Sequence, residues 1–155
     1  MIEAVDWRDH DAFFGTCNRL LAPDGKMALQ AILVADRRFG RVRNSEDFVK
    51  RHVFPGSCIP SLDAITRGCA RTGDFWLTRY DEFPQHYAET LHRWRDRLDA
   101  QADEARARGH DDGLLRLWEF YLCYCEAAFA ERYVSLAQIV LERPRSIPAT
   151  LEVRP

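Results

Sequence analysis

Apolar positions along this chain fall into two kinds of pattern, helical stripes and short continuous runs, and their succession lays out the elements. Phe13, Phe14, Cys17, Leu20 and Leu21 sit at i, i+1, i+4, i+7 and i+8, the stripe of an amphipathic helix packed on a sheet, with Asp11 placed to cap it. Ala22-Pro23-Asp24-Gly25 supplies turn chemistry. Residues 27–35 then form a run apolar on both faces, as expected of a central strand covered by helices on both sides. Asn44 or Ser45 opens a short helix with Phe48, Val49 and His52, which ends at Phe54-Pro55-Gly56. Ser61 caps another, with Leu62, Ile65 and Cys69 inside and its close near Gly73. The aromatic and β-branched run from Phe75 to Tyr80 predicts a second strand. Residues 86–108 predict a long helix with Tyr87, Leu91, Trp94 and Leu98 on one stripe. Residues 112–132 predict another, apolar nearly all round, and such a helix is buried among other elements or lines an apolar cavity. Leu136 to Leu141 is the last strand, and residues 144–155 read as a loose tail.

This alternation is that of a parallel α/β protein. Three strands make a small parallel sheet, and the strand at 27–35 should have neighbours on both sides. Met1-Ile2-Glu3-Ala4-Val5 reads as an apolar strand end with one carboxylate. The expectation is therefore that the chain is the second half of a domain whose remaining strands lie before Met1.

Composition narrows the function classes. A chain of 155 residues, 46% hydrophobic and 30% charged, fits one globular domain. Its net charge of −2 creates no overall field for nucleic acid, so no nucleic-acid partner is expected. One basic stretch stands out: Arg37, Arg38, Arg41 and Arg43, followed by Lys50 and Arg51. It is either a solvated loop and helix face or a lipid-facing patch. Five cysteines, an odd number without framework spacing, predict a reduced cytoplasmic protein in which all five are buried small hydrophobes. Cys123 and Cys125 lack the paired spacing of a zinc site, so no metal is expected. No signal peptide opens the chain, and no run of 18 uncharged apolar residues predicts a membrane span.

Two polar residues carry candidate chemistry. Gln30 is the one polar residue in an apolar strand, and burying its amide unpaired would cost about 1–3 kcal/mol, so it must have partners. Glu3 lies at a strand end, where ligands of open α/β sheets collect.

Several blocks, in order, then carry a resemblance. They are Met1-Ile2-Glu3-Ala4-Val5; Phe13-Phe14 with Leu20-Leu21 and Pro23-Asp24-Gly25; Gln30-Ala31-Ile32; and residues 54–61, Phe-Pro-Gly-Ser-Cys-Ile-Pro-Ser. His86-Tyr87-Ala88 with Thr90-Leu91 and Trp94 follows, and then the helix from Tyr121 to Tyr133. Over residues 1–143 the chain resembles the cyclopropane-fatty-acyl-phospholipid synthases, which include the mycolic acid cyclopropane synthases.

The resemblance implies an α/β fold: the C-terminal part of a doubly wound, Rossmann-like methyltransferase sheet of about three strands, with long helical insertions forming an acyl-chain channel. It implies S-adenosylmethionine (SAM) as cofactor, bound mainly by an N-terminal half that this chain lacks. The implied reaction carries the SAM methyl onto a cis double bond of a phospholipid acyl chain, and the resulting carbocation loses a proton to a bound bicarbonate. Glu3, Tyr87 and the Ile32 backbone match the family's bicarbonate-binding residues. Gln30 stands where better-known members carry histidine, and a glutamine donates a hydrogen bond to an anion but relays no proton. A carbocation also requires a dry, apolar cavity, for which Trp94, Trp118, Tyr121 and Tyr124 offer aromatic walls. The implied protein is cytoplasmic and peripheral to the membrane. The isolated chain is expected to be inactive and not to bind SAM. The alternative is a non-catalytic remnant or a subunit that pairs with a separately encoded SAM-binding half.

Overall fold

A computed structural model describes residues 1–146. They divide into two units, Met1–Glu82 with the chain from Ala137 onward, and Phe83–Leu136.

The first unit is built on a three-stranded sheet. Two 3-10 turns, Ile2–Ala4 and Trp7–Asp9, lead into α1 (His10–Leu20), whose predicted stripe buries Phe14. The opening residues are thus a turn and not the predicted strand end, because five residues hold too little periodicity to tell one from the other. β1 (Lys26–Val34) follows the Pro-Asp-Gly turn. α2 (Asp36–Asn44) occupies a segment for which no element was predicted, since four arginines mask its short apolar side of Phe39 and Val42. α3 (Phe48–His52) is capped by Asp47, whose carboxylate accepts from the Lys50 N–H, and α4 (Leu62–Thr72) by Ser61, which accepts from Ala64 N–H. β2 (Trp76–Glu82) lies near its predicted place.

The strands are ordered β1-β3-β2, with β3 (Val134–Glu142) in the middle. β2 and β3 run antiparallel, from Trp76 opposite Glu142 to Glu82 opposite Ala137, with a bulge between Leu77 and Arg79. Contacts of β1 with β3 also pair ascending with descending residues: Gly25 with Arg143, Lys26 with Glu142, Gln30 with Gln138. The sheet is therefore antiparallel where a parallel one was expected, and the run at 27–35 is not its central strand. Apolar periodicity reports burial and says nothing of strand direction. A strand that follows a helical excursion is free to return beside its predecessor in the opposite sense.

Alternation along the strands turns Leu29, Ala31 and Leu33 of β1 and Ala137, Ile139 and Leu141 of β3 into one core with Ile2, Phe14, Ile65 and Cys69. α1 and α4 cover this face. They approach closely because Gly68 has no side chain; a Cβ there would lie 2.6 Å from Phe14 Cδ2.

The second unit is a helical hairpin. α5 (Pro84–Ala100) begins with proline at its first turn, where the missing N–H costs nothing. α6 (Ala102–Ala107) continues it in place of the single helix predicted for 86–108, and Gly109, at φ +94°, makes the turn. α7 (Asp112–Ala130) starts where Asp111 accepts from the Leu114 N–H. The base is closed by Phe83 N–H donating to the Leu136 carbonyl at 2.8 Å. Pro144–Ser146 form a 3-10 turn, and the rest of the predicted tail lies outside the described residues.

Candidate functional site

The C-terminal end of β1 gathers the first candidates. The Ile2–Ala4 turn places the Glu3 carboxylate so that its Oε1 accepts from the Ile32 backbone N–H at 2.5 Å. Its Oε2 accepts from the Met1 ammonium at 2.7 Å, and its backbone carbonyl accepts from Cys58 N–H at 2.8 Å. The Glu3 side chain is 20% exposed, so a mostly buried carboxylate is fixed by a charge-assisted bond at a strand end. One step further along β1, Val34 N–H donates to Pro60. This bond joins the strand end to the segment that positions Ser61 as the α4 cap. Cys58, in the same segment, is buried, and burial pushes its thiol up, which keeps it neutral and unreactive.

Gln30 departs from expectation. It is exposed, and its Oε1 accepts from the Gln138 side chain at 3.1 Å. Flanking apolar residues made it read as buried. Alternation instead places it on the sheet face opposite the core, on the same side as Ile32. Its partner is the side-chain amide of the central strand, and its own NH2 has no protein partner among the described residues.

Beside this end lies a cluster that sequence reasoning missed. The Arg8 and Arg43 guanidinium carbons each stand 4.7 Å from the centre of a Trp7 ring, and Arg43 also lies 5.8 Å from Phe39. His10 is buried, and this lowers its affinity for a proton, against the opposing hydrogen bond to Val5. Trp7 Nε1 and His10 Nε2 are both buried without a hydrogen-bond partner. The Trp-Arg pair and a histidine among three aspartates were visible in the chain, but no periodicity or spacing set them apart.

The helical unit holds the other candidates. On α5, Tyr87 packs 4.8 Å from Phe129 and 6.3 Å edge-on to Trp94. On α7, Trp118 meets Tyr121 at 5.3 Å, and Phe120 stacks near Tyr124. Burial, with Cys125 beside it, pushes the Tyr121 hydroxyl up. α7 was expected either to be buried among other elements or to line an apolar cavity; of its residues Leu122 and Phe129 are buried. Trp94, Leu114, Trp118, Phe120 and Tyr124 remain 38–53% exposed, because α5 covers only one side of α7.

Between these helices Glu126 pairs ionically with Arg95 at 3.4 Å and faces His92 Nδ1 at 3.2 Å, while Arg95 donates to the Cys123 sulfur at 3.3 Å. A neighbouring cleft of about 260 Å³ is lined by six charged side chains, among them Arg95, Arg106 and Glu119, with Leu98, Ala102 and Leu115 between them, a lining too charged to suit an acyl chain. No group of three metal-ligating side chains occurs among the described residues, and none of their helices is long and apolar enough to cross a membrane. Only Cys58 and Cys69 of the five cysteines are buried; Cys17, Cys123 and Cys125 are partly exposed, contrary to expectation, and no disulfide joins any of them among the described residues.

Residues 1–139 match the family described as mycolic acid cyclopropane synthetase. The chain is 34% identical over 143 residues to tuberculostearic acid methyltransferase UfaA1 of Mycobacterium tuberculosis, a match that spans 92% of this chain and 34% of that protein. It is 27% identical to the cyclopropane-fatty-acyl-phospholipid synthase of Escherichia coli K12, spanning 92% and 36%. Its structure is similar to mycolic acid cyclopropane synthase CmaA1 complexed with SAH and CTAB, with a TM-score of 0.79 at 28% identity over 90% of this chain and 52% of that one. A putative sarcosine dimethylglycine methyltransferase from Galdieria sulphuraria shares the fold at 14% identity, with a TM-score of 0.71. The chain spans about a third to a half of the length of these relatives.

Proposed function

The chain belongs to the mycolic acid cyclopropane synthetase family, and we propose that it contributes the catalytic carboxylate and the acyl-binding helices to SAM-dependent methyl transfer onto the cis double bond of unsaturated phospholipid acyl chains. The observation that carries this reading is the Glu3 carboxylate held at 2.5 Å by the Ile32 N–H at the end of β1.

Among the described residues no glycine-rich turn joins a strand to a helix, so this chain's own side of the site builds no nucleotide cradle. The relative solved with SAH supports SAM as the methyl donor. Methyl transfer leaves a carbocation on the acyl chain, and bicarbonate, when bound, supplies a proton acceptor. The residues present fit that anion. Glu3, oriented by Ile32, accepts a hydrogen bond from its hydroxyl, which removes the repulsion between two bare anions. The NH2 of Gln30, two residues before Ile32 on the same strand, is a donor of the right kind. Trp94, Trp118, Tyr121 and Tyr124 offer an apolar, aromatic lining that excludes water and stabilises positive charge. Such an enzyme works in the cytoplasm at the membrane surface, where its substrate lies.

A second reading is a subunit that pairs with a separately encoded SAM-binding half. β1 favours it. Ile32 and Val34 direct their N–H groups away from β3, to Glu3 and Pro60, and alternation sends those of Ala28 and Gln30 to the same open side. Ahead of the Glu3 and Pro60 contacts, that edge at Ala28 and Gln30 is open to another strand. The test is transfer of labelled methyl from SAM to unsaturated phospholipid, with the chain alone and mixed with a SAM-binding methyltransferase half. Labelled lipid only in the mixture supports both the activity and the pairing. Labelled lipid from the chain alone removes the second reading, and none in either sample removes the first.

A further inference from the structure

We infer that α2 and α3 form the surface by which this protein docks on anionic phospholipid bilayers. The inference rests on the lipid-substrate reading above and names the face that meets the substrate's source.

Residues 36–52 carry six cationic side chains against three carboxylates, in a chain whose net charge is −2. Two of those carboxylates are committed to helix starts: Asp36 Oδ1 accepts from Asp63 N–H at the head of α4, and Asp47 Oδ1 from Lys50 N–H at the head of α3, each at 2.9 Å. Lys50 is committed too. Its ammonium donates to the Val42 carbonyl at 2.5 Å and to that of Ser45 at 2.9 Å, so it ties α3 to the end of α2 instead of reaching outward.

Arg37, Arg41 and Arg51 are different. All three are exposed, and none has an ion-pair partner among the described residues. Four other surface arginines are neutralised locally, Arg67 by Asp63, Arg71 by Asp11, Arg93 by Glu89 and Arg108 by Glu104, and the exposed Arg19, Arg97 and Arg116, which have no ion pair among the described residues, stand one to a helix on α1, α5 and α7. The unpaired Arg37, Arg41 and Arg51 stand on two short helices, α2 and α3, neither of which has a buried residue. They are suited to anions brought from outside.

Aromatic groups decide between a bilayer and an acidic protein. Phe54, two residues after the end of α3, is 49% exposed, and Arg43 is stacked with Trp7 and Phe39. Rings interleaved with cations match an interface that is apolar below and anionic above. The position fits as well. α2 begins two residues after β1 ends, at the strand end where Glu3 meets Ile32, so a lipid bound here has its headgroup beside the site.

The test is co-sedimentation with vesicles of saturated phosphatidylglycerol and phosphatidylcholine, or of phosphatidylcholine alone, at low and high salt. Binding to the anionic vesicles that weakens with salt is expected. Replacing Arg37, Arg41 and Arg51 together by alanine should weaken it on the order of 100-fold. A charge-matched control, R67A/R93A/R108A, should bind as the parent does, and circular dichroism checks that both remain folded. No binding by the parent, equal binding to neutral vesicles, or equal loss in the two triple variants overturns the proposal. So does retention on an immobilised acidic protein without vesicle binding. Saturated vesicles contain no double bond, so docking is read without methyl transfer. Failure of the transfer assay with docking intact therefore removes the functional reading alone.

Discussion

The two units differ in the core they close, although both leave large apolar side chains exposed, Leu20, Phe54, Trp76 and Leu77 in the sheet unit among them. In the sheet unit, Ile2, Phe14, Leu29, Ala31, Leu33, Ile65, Cys69, Ala137, Ile139 and Leu141 close into one core. In the helical unit Leu91, Leu122 and Phe129 are buried, while five large apolar side chains of α5 and α7 stay more than one third exposed. The first pattern is that of a scaffold whose stability comes from packing. The second leaves apolar area for something other than the hairpin itself, and its aromatic composition suits an acyl chain. Substitutions in the two units should therefore separate stability from ligand binding.

The largest effect is expected in the sheet core. Phe14→Ala should lower the stability to urea by about 3–5 kcal/mol, the usual loss for a fully buried ring. A loss as small as that of a surface variant would mean that α1 does not close this core. Gly68→Ala should cost about 1–3 kcal/mol, because the added methyl meets the Phe14 ring and an overpacked helix pair must shift. An unchanged denaturation midpoint would show that the ring has room to move aside.

Acid should act through the same unit. Burial lowers the pKa of folded His10 below its ordinary value of 6.5. The unfolded chain therefore binds a proton that the folded chain resists. This contribution to stability is present above about pH 6.5 and is lost as the pH falls below it. His10→Phe should flatten that part of the stability–pH profile, and an identical slope in both proteins would assign the acid sensitivity elsewhere. Trp118→Ala should have the smallest effect on stability, below about 1 kcal/mol, since the ring is 38% exposed. It should nonetheless weaken binding of a fluorescent long-chain fatty acid several-fold. The reverse pattern, lost stability with unchanged binding, would make α7 ordinary core.

What could be read in the sequence follows the same division. α4 was legible because a capping serine, an apolar stripe and a closing glycine agree in one short stretch. α2 was not, since arginines dominate its nine residues and leave the stripe too thin to see. Strand positions were legible from apolar runs, whereas their antiparallel sense was not, because direction leaves no mark on periodicity. The apolar circumference of α7 pointed to apolar company but could not say that α5 covers only one side. For the site, Glu3 and Ile32 stand 29 apart in the chain, a contact that no local pattern encodes. Glu3 entered as a carboxylate read at a strand end and Ile32 through the family resemblance, and their hydrogen bond is what the structure adds. Gln30 misled because its neighbours are apolar, although its own face of the strand is open.

The most direct measurement is the effect of Glu3→Gln on methyl transfer to unsaturated phospholipid, with SAM and a SAM-binding half supplied. Glutamine keeps an oxygen for the Ile32 N–H but loses the charge that steers proton removal. Turnover is expected to fall by about 100-fold or more while the unfolding midpoint stays near that of the parent. Turnover equal to the parent's would contradict a catalytic role for the Glu3 carboxylate and leave its bond to Ile32 as a purely structural one.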